Sequence, residues 1–256
     1  AAIYPRENSS LEEAARFKLD YICRRLQLTP QDRVIEIGGG WGGFAIHAAA
    51  NYGCHVTTTT ISDAQFREAR RRIQAAGLGH RVTLLQKDYR DLHGRYDKLV
   101  SIEMIEAVGH RYLPEFFRKC GALLRPEGLL LIQAITIADQ KYNQYVRNVD
   151  FIQRHIFPGG CVPSITRMIS LITAETDLVV RSIEDFGFDY ARTLRDWRAR
   201  FLGAFEALQK RGYDERFRRL WEFYLAYCEG GFRERALSVV QVMATRPLNR
   251  TALRRL

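Results

Sequence analysis

An α/β fold with a doubly wound, mostly parallel seven-stranded sheet is what this sequence predicts, on three observations. Short β-branched runs alternate with segments of helical period along most of the chain. A glycine-rich loop joins the first of those runs to the helical segment after it. Of 256 residues, 46% are apolar, among them 14 Phe, 12 Tyr and 3 Trp, which is enough to bury both faces of a large sheet. That aromatic content excludes low-complexity disorder, and no uninterrupted apolar run reaches the roughly 18 residues that read as a bilayer span.

The elements follow in order. Leu11, Ala15, Leu19, Ile22 and Leu26 recur at steps of three and four behind Ser9 and Ser10, an amphipathic helix over 11–27 with a serine cap. Thr29-Pro30-Gln31-Asp32 reads as a turn, and 33–37 as a short strand running straight into Gly38-Gly39-Gly40-Trp41-Gly42-Gly43. A helix over 44–52, a strand over 54–60, a helix over 63–76 and strands over 81–86 and 96–102 continue the alternation. A helix over 112–124 and a strand over 128–137 extend it. Residues 139–176 break the period around Phe157-Pro158-Gly159-Gly160-Cys161-Val162-Pro163 and read as a helical insertion covering one edge of the sheet. A strand over 177–183, an aromatic helical stretch over 191–228 and a last strand over 237–243 complete a single domain spanning 1–256.

Charge and cysteines narrow the function classes. The net charge is +10, and residues 191–256 hold 15 basic against 7 acidic residues. A basic face suits an anionic partner, such as a phospholipid surface, an acyl carrier or nucleic acid, and solvated helix faces account for it equally well. The five cysteines are odd in number and never form a CxxC pair, so neither a disulfide framework nor a metal site is expected, and a reducing cytoplasm fits.

Gly38, Gly40 and Gly43 match GxGxxG between a strand and a helix, where backbone approaches a nucleotide-like ligand and the helix N-terminus offers free N–H groups. Glu36, two residues before the first glycine, can hold an ammonium group. The second strand ends in Thr-Thr-Ile-Ser rather than in the acidic residue that usually binds an NAD ribose. Both features favour S-adenosylmethionine over NAD and leave Thr60 and Gln65 to supply hydrogen bonds to the ribose and its neighbourhood.

VIEIGGGWGGFAIHAA, TTTISDAQ, DYRDL, SIEMIEAVGHRYL, FPGGCVPS and FGFDYARTLRDW together resemble the cyclopropane-fatty-acid and mycolic-acid cyclopropane synthases, a family of S-adenosylmethionine enzymes with the Rossmann-like class I methyltransferase fold. The likeness covers nearly the whole chain in order. It implies methylene transfer onto the cis double bond of an unsaturated acyl lipid, phospholipid or carrier-bound, through a carbocation. It also implies a bound bicarbonate that takes the final proton, held by Glu106, Gln133, the backbone at Ile135 and Tyr190. The expected cofactor set is Glu36, Gly38, Gly40, Thr60, Ile61, Gln65, Tyr89 and Ile102. Methyl transfer without ring closure is the alternative. Members often carry an N-terminal domain that is not in this sequence, and better-known bacterial members have His where this chain has Gln133.

Other readings of the same residues are structural. Glu103 stands where related sequences often have Gly and reads as a solvated loop carboxylate. Tyr190 and Gln133 could be satisfied core groups. Trp197, Phe201, Phe205, Trp221, Phe223, Tyr224 and Tyr227 fit either core packing or an acyl tunnel. His110 and His155 stand closer to the expected site than His47 and His55, and of these only His155 is weighed for catalysis. The Asn/Asp-Pro-Pro-Tyr/Phe loop of nucleic-acid amino-methyltransferases is replaced by Glu103-Met104-Ile105-Glu106, so no nucleic-acid partner is expected. A cytoplasmic enzyme associating peripherally with an anionic membrane is the overall expectation.

Overall fold

The structure, a computed structural model, describes residues 1–250. Helix α1 (Leu11–Arg25) opens on a capping box between Ser10 and Glu13. Then come β1 (Arg33–Ile37), α2 (Gly43–Tyr52), β2 (His55–Thr60), α3 (Asp63–Ala75), β3 (Val82–Gln86), β4 (Tyr96–Ile102), α4 (Leu113–Leu123) and β5 (Leu124–Ile137). The second half holds α5 (Asp139–Tyr145), α6 (Phe151–His155), α7 (Ile165–Glu175), β6 (Val179–Asp185), α8 (Gly187–Gly203), α9 (Phe205–Gln209), α10 (Glu215–Arg233) and β7 (Leu237–Thr245).

The seven strands form one sheet in the order β3-β2-β1-β4-β5-β7-β6. Strands β1 to β5 pair in parallel, and β7 runs antiparallel between β5 and β6. The pleat sorts alternate residues to two cores. Ile35, Ile37, Leu99, Leu130 and Ile132 pack with Phe116 and Phe117 of α4. Val34, Val100, Leu129 and Leu131 pack with Ile22 of α1 and Phe44, Ala45 and Ala48 of α2. With both faces covered, the strands read as continuous apolar runs.

The expected insertion over 139–176 divides in two. Helix α7 is a regular layer helix: Met168, Leu171 and Ile172 form a buried apolar stripe in the same core as Phe116 and Phe117. Only α5, α6 and the loop up to Ser164 stand outside the layer. That loop is pinned to the sheet, because Cys161 N–H donates to the Glu106 carbonyl at 2.7 Å and Ile137 N–H to the Pro163 carbonyl at 3.0 Å. Its aromatic side chains meet α10, Phe151 edge-on to Phe223 at 4.8 Å and Phe157 to Tyr224 at 6.0 Å. Helices α8 and α10 bury a third cluster, Tyr190, Leu194, Leu225 and Phe232, over Val239. Among the described residues, no helix is long and apolar enough to cross a membrane.

Candidate functional site

The C-terminal ends of β1, β2, β4 and β5 meet at one edge, where open α/β sheets receive ligands. At β1 the chain turns into helix α2 through left-handed glycines, Gly38 at φ +86° and Gly40 at φ +53°. A Cβ at Gly38 would lie 2.6 Å from Met104 Cγ, whereas a Cβ at Gly40 or Gly43 would meet nothing within 4 Å. The loop is therefore closed toward β4 and open on the side where α2 presents its first N–H groups.

Glu36 is 2% exposed and accepts a 2.6 Å hydrogen bond from Thr58 Oγ1. Burial raises its pKa to about 7, against the opposing pull of the Thr58 hydroxyl and the Lys18 ammonium on α1. Thr60 Oγ1 donates to Gln65 Oε1 at 2.8 Å, which joins the end of β2 to the first turn of α3. Ile61, between them, is 74% exposed. Ile102 ends β4 in register with Gln133 of β5. Tyr89 follows β3 and sets its ring edge-on to Phe116 at 5.5 Å.

Past β4 and β5 stands a cluster of polar groups in otherwise apolar surroundings. Gln133 Nε2 donates to Glu103 Oε1 at 2.6 Å, and Tyr190 Oη donates to Glu103 Oε2 at 3.1 Å. Ala1 N lies 2.8 Å from Glu103 Oε1. The Ile135 N–H donates to Glu106 Oε1 at 2.5 Å, while Glu106 Oε2 is out of solvent with no hydrogen-bond partner. Burial first, and the neighbouring Glu103 charge second, push Glu106 up to about 8. Burial works to raise Glu103, while the Lys18 ammonium and the Gln133 donor pull it down. At neutral pH Glu106 is therefore held mainly as a carboxylic acid. Tyr190, raised well above its usual value by burial and then by Glu103, stays a phenol that donates. Its ring meets Phe232 at 4.5 Å and Trp197 edge-on at 6.0 Å, so aromatic faces wall the cluster.

The four residues expected to surround a bicarbonate, Glu106, Gln133, Ile135 and Tyr190, are brought together, but around a side chain that the sequence reading set aside. Glu103 is no solvated loop carboxylate: its side chain is 18% exposed and carries two side-chain hydrogen bonds from this set. The donors needed by a free bicarbonate already face carboxylates, so these residues do not fit one as they stand. Glu103 also has φ +52°, a left-handed backbone that costs a non-glycine residue about 1–3 kcal/mol. Lys18 and Thr58, both acting on Glu36, are further members that no motif marked. His155 is exposed at the end of α6 against Phe151, away from the cluster. A cleft of about 560 Å³ lined by Arg95, Arg118, Glu175, Asp177 and Arg246 lies at the opposite edge of the sheet and takes no part.

The sequence model of the family described as Mycolic acid cyclopropane synthetase matches residues 1–242. The chain is 43% identical over 233 residues to the tuberculostearic acid methyltransferase UfaA1 of Mycobacterium tuberculosis, covering 91% of this chain and 54% of that protein. It is 39% identical over 244 residues to the cyclopropane-fatty-acyl-phospholipid synthase of Escherichia coli, covering 95% and 61%. The chain therefore spans little more than half the length of these relatives. Among solved structures it superposes on the cyclopropane synthase MmaA2 of Mycobacterium tuberculosis with a TM-score of 0.87 at 26% identity, covering 95% of this chain and 88% of that one. The mycolic acid cyclopropane synthase CmaA1 complexed with SAH and CTAB gives 0.87 at 25% identity, with the same coverage. Sequence and fold agree on one assignment: this chain belongs to the mycolic acid cyclopropane synthase family.

Proposed function

We propose that the protein transfers a one-carbon unit from S-adenosylmethionine to the cis double bond of an unsaturated acyl lipid and closes a cyclopropane ring. The observation that carries this reading is the pairing of an open glycine cradle beside Glu36 with a carboxylate cluster walled by Tyr190, Trp197 and Phe232, both on one sheet edge. When bound, S-adenosylmethionine supplies an electrophilic methyl group. The cradle at Gly40 and Gly43 leaves room for it, Glu36 takes its ammonium, and Thr60 and Gln65 offer a hydroxyl and an amide to the ribose side. Gly38, Ile61, Tyr89 and Ile102 frame the same edge.

The chain's own groups then handle what a carbocation requires. Aromatic faces stabilise positive charge, burial excludes water that would trap the cation, and a carboxylate stands by to accept a proton. Glu106, Gln133, the Ile135 N–H and Tyr190 hold that carboxylate region in place. A phospholipid is the acyl substrate favoured by the likeness to the phospholipid synthase. The basic C-terminal quarter and the exposed Phe157 and Phe223 suit docking on an anionic bilayer.

A second reading, methyl transfer without ring closure, is favoured by the 43% identity to a protein named as a methyltransferase. The test is incubation with methyl-labelled S-adenosylmethionine and vesicles of mixed unsaturated phospholipids, followed by chromatography of the acyl esters. Label in a saturated cyclopropyl acyl chain supports the first reading. Label in a methyl-branched chain supports the second, and no label in lipid refutes both.

A further inference from the structure

We infer that the Glu103 carboxylate, rather than a separately bound bicarbonate, is the base that removes the final proton. This makes Glu103 a catalytic residue, and it rests on the reaction proposed above.

Residue 103 leaves β4 at the sheet edge with its backbone fixed, its N–H donating to the Gln133 carbonyl at 2.8 Å. Its side chain then occupies the place where the expected anion ligands converge. Tyr190 Oη, Gln133 Nε2 and the Ile135 N–H all donate to carboxylate oxygens of this chain, two to Glu103 and one to Glu106. A bicarbonate brought among them would add a charge beside Glu103 and find these donors already engaged. The orientation of the Gln133 amide agrees with its second contact. Gln241, its register partner on β7, donates from Nε2 to Gln133 Oε1 at 3.0 Å, which leaves the Gln133 NH₂ facing Glu103. Both glutamines are almost wholly buried, at 2% and 0% exposure, so this is a built arrangement. The left-handed backbone at Glu103 points the same way, since strain of this kind persists where surrounding structure holds a group for a task.

A carboxylate reproduces the planar O–C–O and single negative charge of bicarbonate, tethered through its third substituent. The step balances without another reactant. The alkene π pair forms a C–C bond to the sulfonium methyl as the C–S bond breaks toward sulfur, leaving a carbocation and S-adenosylhomocysteine. A C–H bond of the transferred methyl then breaks. Its electron pair closes the ring, and its proton goes to Glu103, which returns it to solvent after product leaves.

The experiment measures turnover in buffer stripped of carbon dioxide, with and without added bicarbonate, and follows ¹³C-bicarbonate binding by NMR. Wild-type turnover is expected to stay within about twofold when bicarbonate is added, and the ¹³C line to stay sharp. Glu103→Gln should lose on the order of 10²-fold or more in turnover while S-adenosylmethionine affinity by calorimetry holds. Glu103→Gly, which relaxes the backbone and opens the space, should be inactive without bicarbonate, regain turnover as it is added, and broaden the ¹³C line. Wild-type turnover that rises with bicarbonate overturns the inference, as does a Glu103→Gln variant with full turnover. If the wild type transfers nothing to lipid, the reaction reading falls, and the NMR titration decides alone. Binding to Glu103→Gly only supports Glu103 as the resident anion; binding to wild type, or to neither protein, overturns it.

Discussion

Glu106→Gln isolates the neutral carboxylic acid beside Glu103. In the folded protein Glu106 titrates at about 8 against an ordinary value of 4.5, raised by burial and then by the Glu103 charge. For an acid raised on folding, the folded state holds a proton that the unfolded chain has released. The stability this contributes is complete below about pH 4.5 and is lost progressively as pH climbs to about 8. The slope is at most about 1.4 kcal/mol per pH unit, and with partial exposure of the residue the total across the window is about 2–4 kcal/mol. Glutamine keeps an oxygen for the Ile135 N–H and puts a neutral amide where the acid O–H stood, so it retains the contact without the titration. Urea unfolding of both proteins at pH 5, 6, 7 and 8 should show wild type losing ground to the variant at each step, with the curves parallel above pH 8. Glu36, also raised, contributes equally to both proteins and cancels in the difference. A stability difference independent of pH would refute the assignment of Glu106 as a neutral acid.

Three further outcomes follow from the same geometry. Because burial holds Glu36 protonated up to about 7, binding of the cofactor's ammonium must first remove that proton. Affinity for S-adenosylmethionine should therefore fall about tenfold per pH unit below pH 7, level off above it, and lose its pH dependence in Glu36→Gln, as calorimetry would show. Gly40→Leu has open space for its side chain but puts it on a left-handed backbone, so it should cost about 1–3 kcal/mol of stability while the circular dichroism spectrum stays native and S-adenosylmethionine binding disappears; undiminished binding would remove the cradle from the site. Phe116→Ala, at a fully buried position packed against Phe117 and Tyr89, should cost about 3–5 kcal/mol in the same urea assay, and a cost under about 1 kcal/mol would contradict its place in the core.

The sheet was legible in the sequence because its signal is local. A β-branched strand such as Val34 to Ile37, a glycine turn and a helix each announce themselves within a few residues, and the structure moves their ends by at most five positions, those of the strands over 33–37 and 96–102 not at all. What local pattern could not show was the role of α7, whose apolar stripe looks the same whether it caps an insertion or fills the sheet layer. Glu103 was misread for a related reason. A carboxylate after a strand reads as solvated unless the partner side chains are known, and those partners, Gln133 and Tyr190, lie 30 and 87 residues away. The clue was present in two departures from the family pattern, Glu for Gly at 103 and Gln for His at 133. Only in three dimensions do they become one hydrogen-bonded pair, an acceptor and the amide that serves it.

The most direct test of the central claim supplies S-adenosylmethionine bearing a CD₃ group to the protein with unsaturated phospholipid vesicles and reads the acyl product by mass and proton NMR. Ring closure with loss of a proton from the transferred methyl predicts a gain of one CD₂ unit, disappearance of the olefinic resonances and new upfield cyclopropane signals. Retention of all three deuterons, or an acyl chain whose olefinic resonances persist, would contradict it.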